Sequence, residues 1–499
     1  MGIITKQGTQ ATLSSYIGLS LGFFSFLVLF PLLLSKEQIG LIRVIEESTA
    51  ILATLALLGS PGIGVRYFNQ FKNPTNGNNG FLRLLLLFPL IGIFIVGVGM
   101  YLLSPTLHKM LPDPLLHQYW GFILPITIAS MFFIILDIYC RCNYLYFIPA
   151  FLRDTAKRII IIIAALALWF GFGTFNSLVI WVAIAHFIIL LILIIYMWNA
   201  KLLDFKTSPF KFINKDLKTE MVDVAFFQTM SVIGGFLLTR LDTFMVLAIA
   251  GLADTGVYSI SAKLVLLMDL PRTAIQVVAL TLVAQSFKEN NIAKIESLYK
   301  QTSLNQCIVG CVLLLVLWCN IDSIFAIIPN GAAFKTGKIV MLYLGIAKLI
   351  DMSFGVNYEI LAFSKHYRVS AFLNLLLMFC AVFINYFFIN KYGFVGAGMA
   401  AIIIVLLFNC VRGAYLWHKL KLQPFHKNIV WALLSGTVVG GLDMLIPHYN
   451  SSIIIALVDA FFHSAFIISA YLFLIIKFQL SSDVSVFYFK IWNRIKLFF

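Results

Sequence analysis

Apolar residues in this chain come in runs of about twenty, separated by short polar stretches, and show neither the two-residue alternation of a strand nor the single stripe of a surface helix. A hydrocarbon layer ~30 Å thick takes about 20 residues of α-helix to cross. The pattern therefore predicts membrane spans, at 12–34, 41–64, 81–103, 120–139, 159–171, 175–198, 224–250, 257–284, 304–319, 339–361, 369–389, 395–416, 429–445 and 453–476. The expected fold is all-α and integral to the membrane, with about 14 transmembrane helices. The fifth run is short for a span and the ninth only marginally apolar.

Composition agrees with that pattern. Of 499 residues, 61% are apolar and 11% charged, against ~25% charged in soluble chains, so there is too little charge to cover a water-facing surface. The seven cysteines sit mostly inside apolar runs without metal-ligand spacing, which argues against disulfide scaffolding and structural zinc. No metal site and no cofactor are expected.

The formal net charge of +15 is explained by where the cations fall. With the N-terminus in the cytoplasm, 26 of the 36 lysines and arginines lie in cytoplasmic loops and termini and six in outer loops, Lys36, Arg43, Lys109, Lys335, Lys338 and Lys391. This is the asymmetry of the positive-inside rule and predicts both termini in the cytoplasm. Such cations face anionic headgroups, so nucleic acid is not an expected partner. Residues 484–499 interleave aromatic and basic side chains, as an interfacial helix or a solvated basic end would. Outer loops are too short for a catalytic domain, and neither GxxxxGK[ST] nor HExxH occurs, which excludes ATP-driven pumping and zinc hydrolysis by this chain. It is not expected to be an enzyme.

A Lys-rich linker at 199–223 lies at mid-chain with six predicted spans before it. At an offset of 216, Ser15, Ile17, Gly18, Leu21, Gly40, Phe71 and Lys72 meet Ser231, Ile233, Gly234, Leu237, Gly256, Phe287 and Lys288, at matching points of each half. An even number of spans per half gives both halves the same orientation, related by an axis along the membrane normal. The predicted organisation is a six-helix bundle at 1–216, a second at 217–424, two additional helices at 425–480 and a basic amphipathic cytoplasmic tail at 481–499. Two such bundles enclose a cavity suited to alternating access.

Several segments carry a family resemblance: SKEQIGLIRVIEESTAILATLALLGSPGIGVRYF at 35–68, IPAFLRD at 148–154, TRLDTFMV at 239–246, GVYSISAKL at 256–264 and YGFVGAGMA at 392–400. Together the chain resembles the Wzx-type flippases of polysaccharide biosynthesis, within the multidrug/oligosaccharidyl-lipid/polysaccharide superfamily. The resemblance implies translocation of an undecaprenyl-diphosphate-linked oligosaccharide from the inner to the outer leaflet of a bacterial cytoplasmic membrane, for O-antigen-like or capsule-like polysaccharide, with no covalent chemistry. It also implies membrane lipids, a polysaccharide polymerase and chain-length proteins as partners. Related lipid II flippases carry charges in the first helix, whereas 12–34 has none, and in relatives with fourteen spans the last two help form a groove for the lipid tail. The alternatives are a multidrug exporter of the same superfamily and a membrane polysaccharide polymerase or ligase.

An ionised side chain at mid-bilayer costs at least ~2.5–3.5 kcal/mol, so each one needs a partner or a wet cavity. Asp137 with Arg141, Lys348 with Asp351, Asp269 with Arg272, and Asp459 with His463 are spaced to pair along one helix. Arg240 and Asp242 are about 200° apart on theirs and cannot pair with each other. Lys263 and Arg272 reach one cavity only if the helix bends, for which Pro271 is available. His186, alone on an apolar span, reads as a satisfied core residue. A diphosphate carries two or three negative charges and suits guanidinium forks. Each contact at ~4 Å is worth on the order of 4 kcal/mol before desolvation. The expected cargo-binding cations are Arg240, Lys263, Arg272, Arg66 and Lys348. Asp242, Asp351 and Glu359 are the expected coupling carboxylates, for a proton or sodium gradient or the membrane potential. At the offset of 216 Glu47 meets Lys263, which predicts an outer gate formed by that pair.

Overall fold

In a computed structural model of the chain, residues 2–111, 113–203, 208, 213–449, 451–484 and 486 are described. Among them every regular element is helical, and each expected span falls on helix. Among the described residues nine helices are long and apolar enough to cross a membrane, or ten when a pair bent by 48° between Gly331–Ser353 and Asn357–Phe363 is taken as one. The remaining expected spans are helical but shorter, broken or richer in charge. The chain is a multi-pass membrane protein. The centre of the linker and residues 487–499 of the basic tail lie outside the described residues.

Contacts divide the chain into Met1–Gly256 and Val257–Phe499. The first unit begins with α1 (Gly2–Phe24), which runs through a π-helical turn, Ser25–Leu29, into Phe30–Leu33. A capping box between Ser35 and Gln38 starts α2 (Lys36–Ala56). The second expected span then breaks: Leu58 and Gly59 take positive φ, and the chain restarts as α3 (Ser60–Phe71), with Pro61 in its first turn where a missing N–H costs nothing. There follow α4 (Phe81–Met110), α5 (Ile123–Cys142), α6 (Lys157–Trp169) and α7 (Phe175–Asn199). The helix carrying the fifth span is longer than its apolar run. It starts at Phe147 and reaches α6 through a π-helical stretch, Phe151–Ala156. Arg153, Lys157 and Arg158, expected in a loop, therefore lie within helix.

After the linker comes α8 (Lys215–Val265), interrupted at Gly251, whose φ of 87° and ψ of 179° no L-residue adopts cheaply. Its first part packs in the first unit, so the contact division falls at Gly256 and not in the linker. The core there joins Ala53, Tyr67, Phe71, Phe81, Met131 and Tyr139 near Ala225, and a second cluster joins Leu41 and Ile45 to Leu247 and Leu252.

One crossing in this unit echoes the repeat. A Cβ on Gly40 would meet the Leu252 carbonyl oxygen at 2.1 Å, and one on Gly256 would meet that of Lys36 at 2.1 Å. The offset of 216 carries Lys36 onto position 252 and Gly40 onto 256. The contact is thus reciprocal, as a two-fold axis through a helix crossing requires, and only glycine lets the backbones approach this closely.

The second unit continues α8 into a 3-10 turn, Leu266–Met268, before α9 (Asp269–Lys288), with Pro271 in the first turn of the new helix. Then come α10 (Ile292–Cys319), α11 (Lys338–Ser353), α12 (Asn357–Phe363), α13 (Tyr367–Tyr392), α14 (Phe394–Leu420), α15 (Lys427–Asp443) and α16 (Ile453–Lys477). Val283, Ile295, Tyr299, Ile360 and Leu416 form one core, and Cys307, Ile308, Ala432 and Tyr471 another. Phe383, Tyr386, Phe461 and Phe462 are exposed, as lipid-facing residues are.

Candidate functional site

Three of the expected site residues, Arg272, Lys348 and Asp351, meet in the second unit together with Asp269, on helices that the sequence separates widely. Arg272, one turn into α9, sends Nη2 to Asp351 Oδ2 at 2.6 Å and Nη1 to Asp269 Oδ1 at 3.5 Å. Lys348 on α11 places Nζ 2.8 Å from Asp269 Oδ1. The expected Lys348–Asp351 pair along one helix is replaced by two bridges between α9 and α11. The spacing rule sees only one helix, and here each cation finds its acid across the interface. Asp351 also accepts from Asn409 Nδ2 on α14 at 3.1 Å, and Asn409 accepts from Asn357 Nδ2 at 2.7 Å.

The tetrad of Asp269, Arg272, Lys348 and Asp351 balances two charges of each sign. Its side chains keep 23–29% of their exposure, so it is neither dry core nor free surface. One turn past the break at Gly355, Glu359 is buried, and its Oε2 has no hydrogen-bond partner among the described residues. Arg412 on α14 donates to Asn374 Oδ1 at 2.7 Å and lies over the rings of Tyr358 and Phe408. Arg412 was counted among loop cations, and Asn409 was not singled out. Both are polar residues one turn apart inside an apolar run, and that was the available signal.

The expected residues of the first unit are placed differently. Arg240 is not a lone cation: it is bonded to Glu47 Oε1 on α2, the interhelical salt bridge that was the alternative to a cavity position. The same oxygen is 2.5 Å from Arg43 Nη2, one turn away. Glu47 is almost wholly buried. Asp242 Oδ1 accepts from the backbone N–H of Thr243 at 2.8 Å. Arg66 borders a pocket of about 440 Å³ that it lines with Tyr67, Glu220, Asp223, Val224, Phe227 and Gln228. Lys263, beyond Gly251, is half-buried.

Other ionisable groups have structural roles. Asp137 pairs with Arg141 at 2.6 Å as expected, and also with Arg153 at 2.9 Å. Arg153 in turn bonds Asp154 at 2.9 Å, which accepts from Ser15 Oγ on α1 at 2.7 Å. The LRD triplet of the 148–154 segment is thus a brace tying α1, α5 and the start of α6 together. His186 places Nδ1 2.8 Å from the Val182 carbonyl within its own helix, as a satisfied core residue does.

With this geometry in hand, the chain can be set beside known proteins. No protein-family model matches it, and no curated protein sequence does. Solved structures do match. The lipid II flippase MurJ in an inward closed conformation is 12% identical over 92% of this chain and 98% of its own, with a TM-score of 0.71. An inward-facing multidrug resistance MATE family transporter of the MOP superfamily is 12% identical over 82% and 98%, with a TM-score of 0.63. A MOP-superfamily transporter from Pyrococcus furiosus, for which a reversed polarity of the binding pocket is described, is 14% identical over 84% and 93%, with a TM-score of 0.50. This chain has the fold of MOP-superfamily transporters. At such identities the likeness is one of fold, which many cargoes can share.

Proposed function

We propose that this chain is a Wzx-type flippase, moving an undecaprenyl-diphosphate-linked oligosaccharide from the inner to the outer leaflet of a bacterial cytoplasmic membrane by alternating access. The observation that carries this reading is the half-exposed tetrad of Asp269, Arg272, Lys348 and Asp351. Its two cations are extended and held by carboxylates that a diphosphate can displace, and the exchange keeps them partnered throughout the cycle. Arg272 supplies a fork for phosphate oxygens and Lys348 a point charge. Arg66, beside its pocket in the first unit, is a further candidate cation. Lys263 and Arg240 remain lesser candidates, Arg240 because it already holds Glu47.

In this scheme Glu359 is the preferred coupling group, since a buried carboxylate with an idle oxygen can take up a proton or sodium ion, whereas Asp351 and Asp242 are already bonded. The outer gate between Glu47 and Lys263 requires Glu47 to exchange partners during the cycle. A charge swap, Glu47→Lys with Lys263→Glu, should restore export lost in each single variant if that pair forms.

A second reading, a multidrug exporter of organic cations, has its own support in Glu359, which would suit a cationic cargo. One experiment separates the two. Proteoliposomes of the purified chain receive a fluorescent undecaprenyl-diphosphate-linked saccharide or ethidium, and the cargo reaching the far side is measured. The flippase reading expects transfer of the lipid-linked saccharide, cut about tenfold by Arg272→Ala, the scale of one charge-assisted contact, and no movement of ethidium. Ethidium transport that needs Glu359, without saccharide transfer, would establish the exporter instead.

A further inference from the structure

The geometry points to a divalent transition-metal site, which we propose binds zinc, built by Asp443, His448 and His463 where the last two helices of the chain meet. Asp443 is the final residue of α15, His463 lies on α16, and His448 is on the loop joining them. One ligand atom from each lies within 4.8 Å of the others, the one such group of His, Cys, Asp or Glu among the described residues. His463 Nδ1 is 2.8 Å from Asp443 Oδ1, and His448 Nδ1 is 3.0 Å from Asp459 Oδ2.

An ion-pair network alone leaves one feature unexplained. Asp443 is fully buried beside the weakly donating Cys319 thiol, and its Oδ2 has no hydrogen-bond partner among the described residues. It also sits at a helix C-terminus, where the backbone dipole disfavours negative charge. A buried carboxylate in that position calls for a cation, and the His463 ring reaches only Oδ1. A metal ion bound through Oδ2 would satisfy the rest.

The ligand types fit zinc. Two imidazoles and a carboxylate match its three-ligand sites, with a fourth position left for water. Asp459 has the role of an outer carboxylate: it accepts from His448, from Ser323 Oγ at 3.0 Å and from the Tyr449 N–H at 3.0 Å. It thereby fixes a ligand histidine from behind, as metal sites commonly do. Zinc at ~2.0–2.1 Å from each ligand would bring the ligand atoms to about 3.5 Å from one another. The rings of His448 and His463 now stack face to face at 3.8 Å, so His448, on the accessible loop, is the ligand that must turn. The bound ion would fasten the loop and the ends of α15 and α16 together.

The test uses the purified full-length chain in detergent, stripped with a chelator and titrated calorimetrically with zinc chloride. One zinc should bind per chain. His448→Ala should weaken that binding by more than about a hundredfold, and Asp459→Asn, which removes only the outer carboxylate, by a smaller factor within the about 10–100-fold span of such losses. Cobalt in place of zinc should give the visible absorption of a four-coordinate site, lost in His448→Ala. His448 is exposed, so its variant keeps the fold, and unchanged melting without metal confirms that it does. Substoichiometric binding, or equal affinity in wild type, His448→Ala and a His418→Ala surface control, would overturn the proposal.

Discussion

In Met1–Gly256 the buried carboxylates Glu47 and Asp137 each sit between two arginines, whereas in Val257–Phe499 Asp269, Arg272, Lys348 and Asp351 form a partly exposed array. Glu47 keeps 2% of its side-chain exposure and Asp137 4%, and each is held by two arginines. Asp269, Arg272, Lys348 and Asp351 keep about a quarter. The repeat sharpens the contrast. At the offset of 216, Asp269 and Arg272 correspond to Ala53 and Ala56, both with no exposure at all in the first unit's core. At the same offset the helix start after Ser35 matches the interruption at Gly251, and Gly40 and Gly256 meet in one reciprocal crossing. The two halves differ in that one puts alanine where the other puts an ion pair.

The strongest way to break this comparison is to remove an acid from each unit. Glu47→Ala removes the buried carboxylate shared by Arg43 and Arg240, whose side chains keep 22% and 36% of their exposure, and should cost about 2 kcal/mol, the scale of a charge-assisted bond. Asp351→Ala leaves Arg272 with Asp269 and some water, and should cost about 1 kcal/mol. Thermal unfolding of the purified variants measures both. Equal losses would mean that the exposure difference has no energetic meaning.

Next in size is the crossing that the repeat makes symmetric. Gly40→Ala and Gly256→Ala each place a Cβ into a backbone carbonyl and should cost about 1–3 kcal/mol, as overpacking does. Because one displacement relieves both clashes, the double variant should cost clearly less than the sum. Additive losses would mean that the two glycines sit in independent contacts.

Much of this frame was legible in the sequence. Each predicted span is helical because a run of about twenty apolar residues has no other way to satisfy its backbone in lipid. The breaks at Leu58–Gly59 and Gly355 were not read, since a positive φ leaves little trace inside a continuous apolar run. Arg153 and Lys157 passed for loop residues because sequence spacing cannot reveal that Asp137 waits on another helix. The same blindness to cross-helix partners made Arg240 look unpaired, misassigned Lys348 to Asp351, and hid the Asp443, His448 and His463 group. What sequence did supply for the site was the list of charged residues within spans, and the structure brings four of them together.

The smallest expected change in stability belongs to Lys348, and it is the most direct test of the array as a binding surface. Its bridge to Asp269 is 2.8 Å long but remains partly solvated, so Lys348→Met should shift unfolding by less than about 1 kcal/mol. Asp269 keeps Arg272 as a partner at 3.5 Å, and the methionine stem fills much of the same volume. Lys338, paired with Asp322 at 2.6 Å on a more exposed site, provides the control, since Lys338→Met should be equally mild. The two variants separate in transport: Lys348→Met should lower transfer of a lipid-linked saccharide about tenfold, the cost of one lost charge-assisted contact, while Lys338→Met leaves it unchanged. Lys348→Arg should recover most of the rate, because the charge is restored. If Lys348→Met transports as well as Lys338→Met does, the bridges between α9 and α11 are braces like those of the first unit, and the contrast between the two units does not extend to cargo binding.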